Sequence, residues 1–133
     1  LIPIPVVLLD AYFETVPCNC VLLNNVQGAY LAARHLIRTC KTQPGYLHSA
    51  YPISNFAERS SGFYKAVRAA GMSSSRSIVH KLTPSMEGAY ADMMELIKNG
   101  EELAPCYFAD NDLIAVGAIK AVSYTHLTLP TKR

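Results

Sequence analysis

The sequence predicts an α/β fold, a parallel sheet flanked by helices, and three observations carry that reading. Short apolar runs such as IPVVLLD (residues 4–10), PGYLHS (44–49) and PCYFA (105–109) read as strands, and the first has the near-continuous apolar character of one buried on both faces. Between them, apolar residues recur every three or four positions, the pattern of helices with one inner face. Strand and helix alternate along the chain, which is how βαβ units are built. At 133 residues, half of them apolar and 17% charged, the chain can bury the core of one domain.

The elements follow in order. IPVVLLD is opened by proline and closed by an acid, and CVLL (20–23) is a second short strand after a polar loop holding Pro17. Asn24 and Asn25 are favoured N-cap residues, and Val26, Tyr30, Ala33 and Ile37 mark the inner face of a helix over residues 25–40. After GYLHS a second helix starts near Asn55, with Glu58 three residues on as in a capping box. Phe63, Val67 and Ala70 form its inner face, and Gly71 ends it. SIVHKL (77–82) is a weaker strand. Thr83 and Pro84 open a third helix that carries Met86, Tyr90, Met93 and Ile97 on one face and stops at Asn99-Gly100. The last helix, over residues 113–122, is apolar nearly all round and so is expected to be buried. Beyond Val122 the pattern breaks, and residues 123–133, SYTHLTLPTKR, read as a non-native tail.

Composition removes several classes of function. Twelve basic residues against ten acids, with no basic run, leave no electrostatic footprint for nucleic acid in this segment. No apolar run approaches the ~20 residues of a membrane span, so no membrane partner is expected. The start, LIPIPVVLLDAYFE, lacks an initiator Met and a basic leader and reads as the middle of a domain. Cys18, Cys20, Cys40 and Cys106 are too sparse for a disulfide framework and read as reduced thiols in a cytoplasmic protein; C-x-C alone is no zinc site. There is no G-x-S-x-G, G-x-G-x-x-G, Walker loop, H-E-x-x-H or C-x-x-C, so no enzyme, cofactor or metal is predicted. One weak metal signal is the D-x-D spacing of Asp110 and Asp112, found in metal-dependent nucleotide-sugar transferases. His35, His48, His80 and His126 are dispersed and read as core or surface residues.

In an open parallel sheet, ligands bind beyond the carboxyl ends of the strands. Polar residues follow three strands there: Asp10, residues 49–55, and Asp110-Asn111-Asp112. Each has a plain structural alternative. Asp112 can cap its helix, Asp10 can form a turn, and Arg59, one turn before Gly62, can pair with a surface acid. Together an acid, a guanidinium fork and an amide would suit a polyol, whose hydroxyls both donate and accept.

Four ordered segments, IPVVLLD, NNVQGAYLAARHLI (24–37), ERSSGFYKAV (58–67) and FADNDLIAVGAIKA (108–121), resemble the effector-binding domain of the lactose/galactose repressor (LacI/GalR) family. The resemblance implies a periplasmic-binding-protein-like fold of two α/β subdomains, with residues 1–23 the tail of the first and residues 24–122 most of the second. It implies a sensor of a sugar or related metabolite, in a parent that is homodimeric and reaches operator DNA through an amino-terminal helix-turn-helix outside this segment. Effector contacts would fall on Asp10, Arg59 and Asp112, with Asn55, Tyr12, Phe13 and Leu23 as further cleft residues. One departure stands out: Thr39-Cys40-Lys41-Thr42 replaces the family's usual glycine and histidine after the first helix. A sugar-binding protein of an exported transporter shares the same fold and is the alternative.

Overall fold

The computed structural model describes residues 3–128. Two parallel sheets lie along the chain. The first pairs β1 (Val7–Leu9) with β2 (Asn19–Val21), Leu8 facing Cys20. The chain then enters α1 (Asn25–Cys40) and builds the second sheet from β3 (Gly45–Ser49), β4 (Val79–Leu82) and β5 (Tyr107–Ala109). Its order is β4-β3-β5, so β3 is central, with Tyr46 opposite Val79 on one side and Phe108 on the other. The connecting helices are α2 (Ser54–Ala69), α3 (Met86–Lys98) and α4 (Asp112–Thr128).

Side chains alternate across the pleat of β3, which divides the core into two layers. Tyr46 turns to one face and packs with Ala33 of α1 and Phe63, Ala66 and Val67 of α2. Leu47 turns to the other and packs with Leu82 of β4, Ala89 and Met93 of α3 and Ile114, Ala118 and Ala121 of α4. Fully burying a side chain such as Phe63 or Leu82 contributes about 1.5–3 kcal/mol.

Each helix pair closes on a glycine. A methyl group built on Gly62 of α2 would lie 2.1 Å from the Val26 carbonyl oxygen of α1, and one on Gly117 of α4 would lie 2.5 Å from the Met86 carbonyl oxygen of α3. Two backbones approach in each pair as only a residue without Cβ allows.

Several element details differ from the sequence reading, each for a local reason. Asn24 alone caps α1, accepting from the Gln27 amide at 3.1 Å, while Asn25 is buried in the first turn. The buried stripe of α1 is therefore Asn25, Ala29 and Ala33, one position round from the predicted face, because α2 packs so close that only small side chains fit. Asn55 and Glu58 form no capping box. The cap position of α2 is Ile53, without a side-chain bond, and both polar residues turn instead to Asn25. In α2 Ala66, not the exposed Ala70, completes the inner face. Ser85, not Thr83-Pro84, starts α3, its hydroxyl accepting from the Gly88 amide; Met86 is left exposed.

The strand expected to be buried on both faces, β1, is not. Val7 and Leu9 of β1 remain 58% and 76% exposed, because little is laid against the two-stranded sheet. Likewise α4 buries one side only: Ile114, Ala118 and Ala121 face the core while Leu113, Val116, Ile119 and Val122 face outward. It also runs past Val122 to Thr128, Thr125 donating back to the Ala121 carbonyl at 2.8 Å. Residues 129–133 of the expected tail lie outside the described residues.

The glycine contact makes a test of the α1–α2 interface. Gly62→Ala should lower stability by about 1–3 kcal/mol through overpacking, despite alanine's better helix propensity. Gly28→Ala on α1, where nothing lies within 4 Å, should be neutral or stabilising. Urea midpoints of the two variants decide it.

Candidate functional site

At the carboxyl ends of β3 and β5 the backbone stops pairing and polar side chains take over. Asp110, the first residue after β5, is 2% exposed. Its carboxylate accepts from the Tyr46 hydroxyl, from His48 Nδ1 and from the Ser49 amide at 2.6 Å, three donors on β3. Burial, and then the bond to Asp110, push the Tyr46 hydroxyl well above the ordinary tyrosine value. Asp110 thus ties two strand ends together through its carboxylate. This removes the D-x-D reading, since a carboxylate engaged by three donors is not available to chelate a metal beside Asp112.

The carbonyl of the same residue does different work. Arg59, projecting from α2, donates through Nη1 to the Asp110 carbonyl and through Nε to Asn25 Oδ1 at 3.0 Å. Its guanidinium carbon lies 5.7 Å from the centre of the Phe56 ring. The guanidinium is not paired with a carboxylate as a surface arginine would be, because its two acceptors are a backbone carbonyl and an amide oxygen. Two of the five N–H donors hold the fork in place and the rest remain for something else.

Asn25 is the hub that sequence reasoning missed. Its amide nitrogen donates to Asn55 Oδ1 at 3.3 Å and Glu58 Oε1 at 3.1 Å while its oxygen accepts from Arg59. Asn55 in turn donates to the carbonyl and carboxylate of Asp10 at 3.1 and 3.2 Å. Asp10 holds φ at 59°, a left-handed conformation that Asp tolerates better than most residues, and its amide donates to the Val21 carbonyl at 2.8 Å. The doubled asparagine was the available signal: one amide suffices for a cap, so the second had other work.

Asp112 opens α4 but does not cap it. Asn111 Oδ1 accepts from the Ile114 amide at 2.9 Å, which leaves the Asp112 carboxylate free of that task. A cavity of about 830 Å³ opens here, between α1, β5 and the start of α4. Leu23, Arg59 and Asp112 line it, with Asn25, Asp110 and Asn111. Asp10 and Asn55 join through the hydrogen-bond network rather than the wall. Tyr12 and Phe13 do not line this cavity, and Phe13 is 60% exposed.

The four cysteines are unpaired, and burial, with Cys40 alongside, holds the Cys106 thiol up at about 11, protonated at neutral pH. What the arrangement offers is a set of fixed donors and acceptors beside a cavity within the ~300–1,000 Å³ range of small-molecule sites.

A family model described as periplasmic binding proteins and sugar binding domain of LacI family matches residues 2–127. The chain belongs to that family. Among curated relatives, the HTH-type transcriptional regulator GalS of Salmonella typhimurium is 35% identical over 112 residues, covering 84% of this chain and 33% of that protein. The regulator GalR of Escherichia coli is 32% identical over 114 residues, covering 84% of this chain and 32% of that protein. This LacI-family domain therefore spans about a third of the length of the curated relatives it matches. Solved structures share its fold: a LacI family transcriptional regulator from Enterococcus faecium with bound ribose superposes with a TM-score of 0.80 at 24% identity, over 92% of this chain and 44% of that one. A periplasmic solute binding protein of an ABC transporter from Actinobacillus succinogenes, with bound D-allose, gives 0.73 at 25% identity, over 93% and 47%. No helix among the described residues is long and apolar enough to cross a membrane.

Two expected outcomes follow from the division of labour between the acids. Asp110→Ala should cost about 3 kcal/mol or more, since two buried donors and the half-buried His48 lose their acceptor, whereas Asp112→Ala should change stability by less than about 1 kcal/mol. Chemical denaturation of both variants measures this. The second concerns alkaline pH. In the unfolded chain Tyr46 ionises near 10, but in the fold it keeps its proton well beyond that. Above about pH 10 the unfolded state sheds a proton that the native state retains, so stability falls as pH rises. Urea midpoints between about pH 8 and 11 should fall more steeply in the wild type than in Tyr46→Phe.

Proposed function

We propose that this domain is the effector sensor of a LacI/GalR-type transcriptional regulator, binding a sugar or related metabolite and catalysing nothing. The observation that carries the proposal is the Arg59 guanidinium, fixed by Asn25 and the Asp110 carbonyl at the mouth of a cavity that Asp112 also lines. In this reading Arg59 and Asp112 hold ligand hydroxyls, and Asp10 and Asn55 join them from the side of the first sheet. Leu23 supplies an apolar wall, and Tyr12 and Phe13 close on the ligand from the segment after β1. Residues 1–23 then belong to a first subdomain and residues 24–122 to a second, with the ligand between them. A ligand that touches both favours one closure state, and the regulator's response equals the difference in its affinity for the two states.

The regulator relatives, more similar in sequence than the transporter protein, support this over an exported binding protein. The intact regulator is cytoplasmic, homodimeric, and contacts its operator through a separate amino-terminal domain.

The direct test is an induction assay in the intact regulator. Arg59→Ala and Asp112→Ala should each abolish the response to effector while operator binding stays intact. Normal induction in either variant overturns the site. Reading the coding DNA upstream of Leu1 tests the parent: a helix-turn-helix supports the regulator, whereas an export signal supports the transporter protein.

A further inference from the structure

Two of the four cysteines come together from distant parts of the chain, and the effector site uses neither. α1 starts where Arg59 joins Asn25 to the Asp110 carbonyl, and it packs along β5 toward the amino end of that strand. Ala32 and Leu36 of α1 line the effector cavity with Tyr107 and Phe108 of β5. Cys40 is the next residue in the same i, i+4 row, at the last position of the helix. Cys106 stands immediately before β5, and its carbonyl accepts from the Gly45 amide at 2.8 Å, which carries the ladder back to it. Side chains alternate along a strand, and Phe108, two residues on, packs in the layer of Ala33 and Phe63; Cys106 therefore points to the side of the sheet that α1 covers. The turn between Cys40 and β3 is also fixed. Lys41 is left-handed with φ 54°, its amide donates to the Ile37 carbonyl at 2.9 Å, and Pro44 is fully buried. The two thiols meet there, Cys40 exposed and Cys106 half-buried, with no disulfide between them.

We propose that Cys40 and Cys106 are a reversible redox site, which a small-molecule disulfide oxidises to a bond between the end of α1 and the start of β5. Closure takes two thiol–disulfide exchanges. The Cys40 thiolate attacks one sulfur of the small disulfide, forms a mixed disulfide and expels a small thiolate, which takes up the proton that Cys40 released. Cys106 then loses its proton and attacks Cys40 Sγ, and the second small thiolate leaves and takes up that proton. Two protein thiols are oxidised and one small disulfide is reduced to two thiols, with no other reactant. Access sets the order, since Cys40 is exposed while burial keeps the Cys106 thiol protonated at neutral pH. The bond closes a long loop, so it constrains the unfolded chain more than the fold. It also pins two walls of the effector cavity to each other, at the end of α1 away from Asp110.

The experiment equilibrates the full chain in buffers of graded glutathione to glutathione disulfide ratio, traps free thiols by alkylation and maps linked peptides by mass. In the wild type the Cys40–Cys106 linkage should appear ahead of any other, and dithiothreitol should reverse it. Cys106→Ser should stop at a glutathione adduct on Cys40. A second measurement separates a pair held by the fold from a chance one. With Cys18→Ser and Cys20→Ser in place, so that only the pair remains, the equilibrium constant for closure is measured in native buffer and in concentrated urea. Folding and closure are linked, so a fold that holds the thiols together raises that constant, and it should be at least about tenfold greater in native buffer. The urea midpoint of the linked form should rise with it. A smaller ratio, a different cysteine pair linking first, or a wild-type chain that stops at the Cys40 adduct overturns the proposal. None of these results bears on whether Arg59 and Asp112 hold a sugar.

Discussion

The buried carboxylate of Asp110 is the constraint around which the carboxyl end of the sheet is organised. A charged group with 2% exposure is tolerable only when its oxygens are fully engaged, and here β3 supplies a hydroxyl, a ring nitrogen and a backbone amide. Those bonds fix β5 against β3 just where the ladder ends after Leu47 and Ala109. They also fix the direction of the Asp110 carbonyl, and through it the Arg59 fork. Removing the acid would therefore loosen the two strand ends and the Arg59 fork in a single step.

Much of the fold was legible because it rests on periodicity. The alternation of apolar runs and helical stretches located the five strands and four α-helices of the described residues, and the runs PGYLHS and PCYFA landed on β3 and β5. Burial was less legible. Leu113, Val116, Ile119 and Val122 look like core residues in sequence, yet they face outward, because their environment depends on whether another element lies beyond α4 and β5. Caps failed for a related reason. Asn55 and Glu58 have capping spacing, but Asn25, thirty or more positions away, takes the same oxygens.

The site was half readable. A polar residue after a strand is a fair flag, and it pointed to Asp10, Asp112 and Asp110 alike. Spacing could not say which acid turns inward, since that depends on donors contributed by β3. Nor could it show that His48, one of four scattered histidines, stands behind Asp110 and beside Lys81. Pairings across a parallel sheet carry no short-range mark in the sequence.

The hydrogen-bond chain from Arg59 to Asp10 has a polarity. It begins on a guanidinium, which can only donate, and ends on a carboxylate, which can only accept. The two amides between them, Asn25 and Asn55, could each point either way in isolation. With those ends in place, every N–H points toward Asp10, and turning one amide over would set nitrogen against nitrogen or oxygen against oxygen at the next link. The orientation of each amide is therefore dictated by charges one and two links away, and the chain behaves as one unit with a single ordered state.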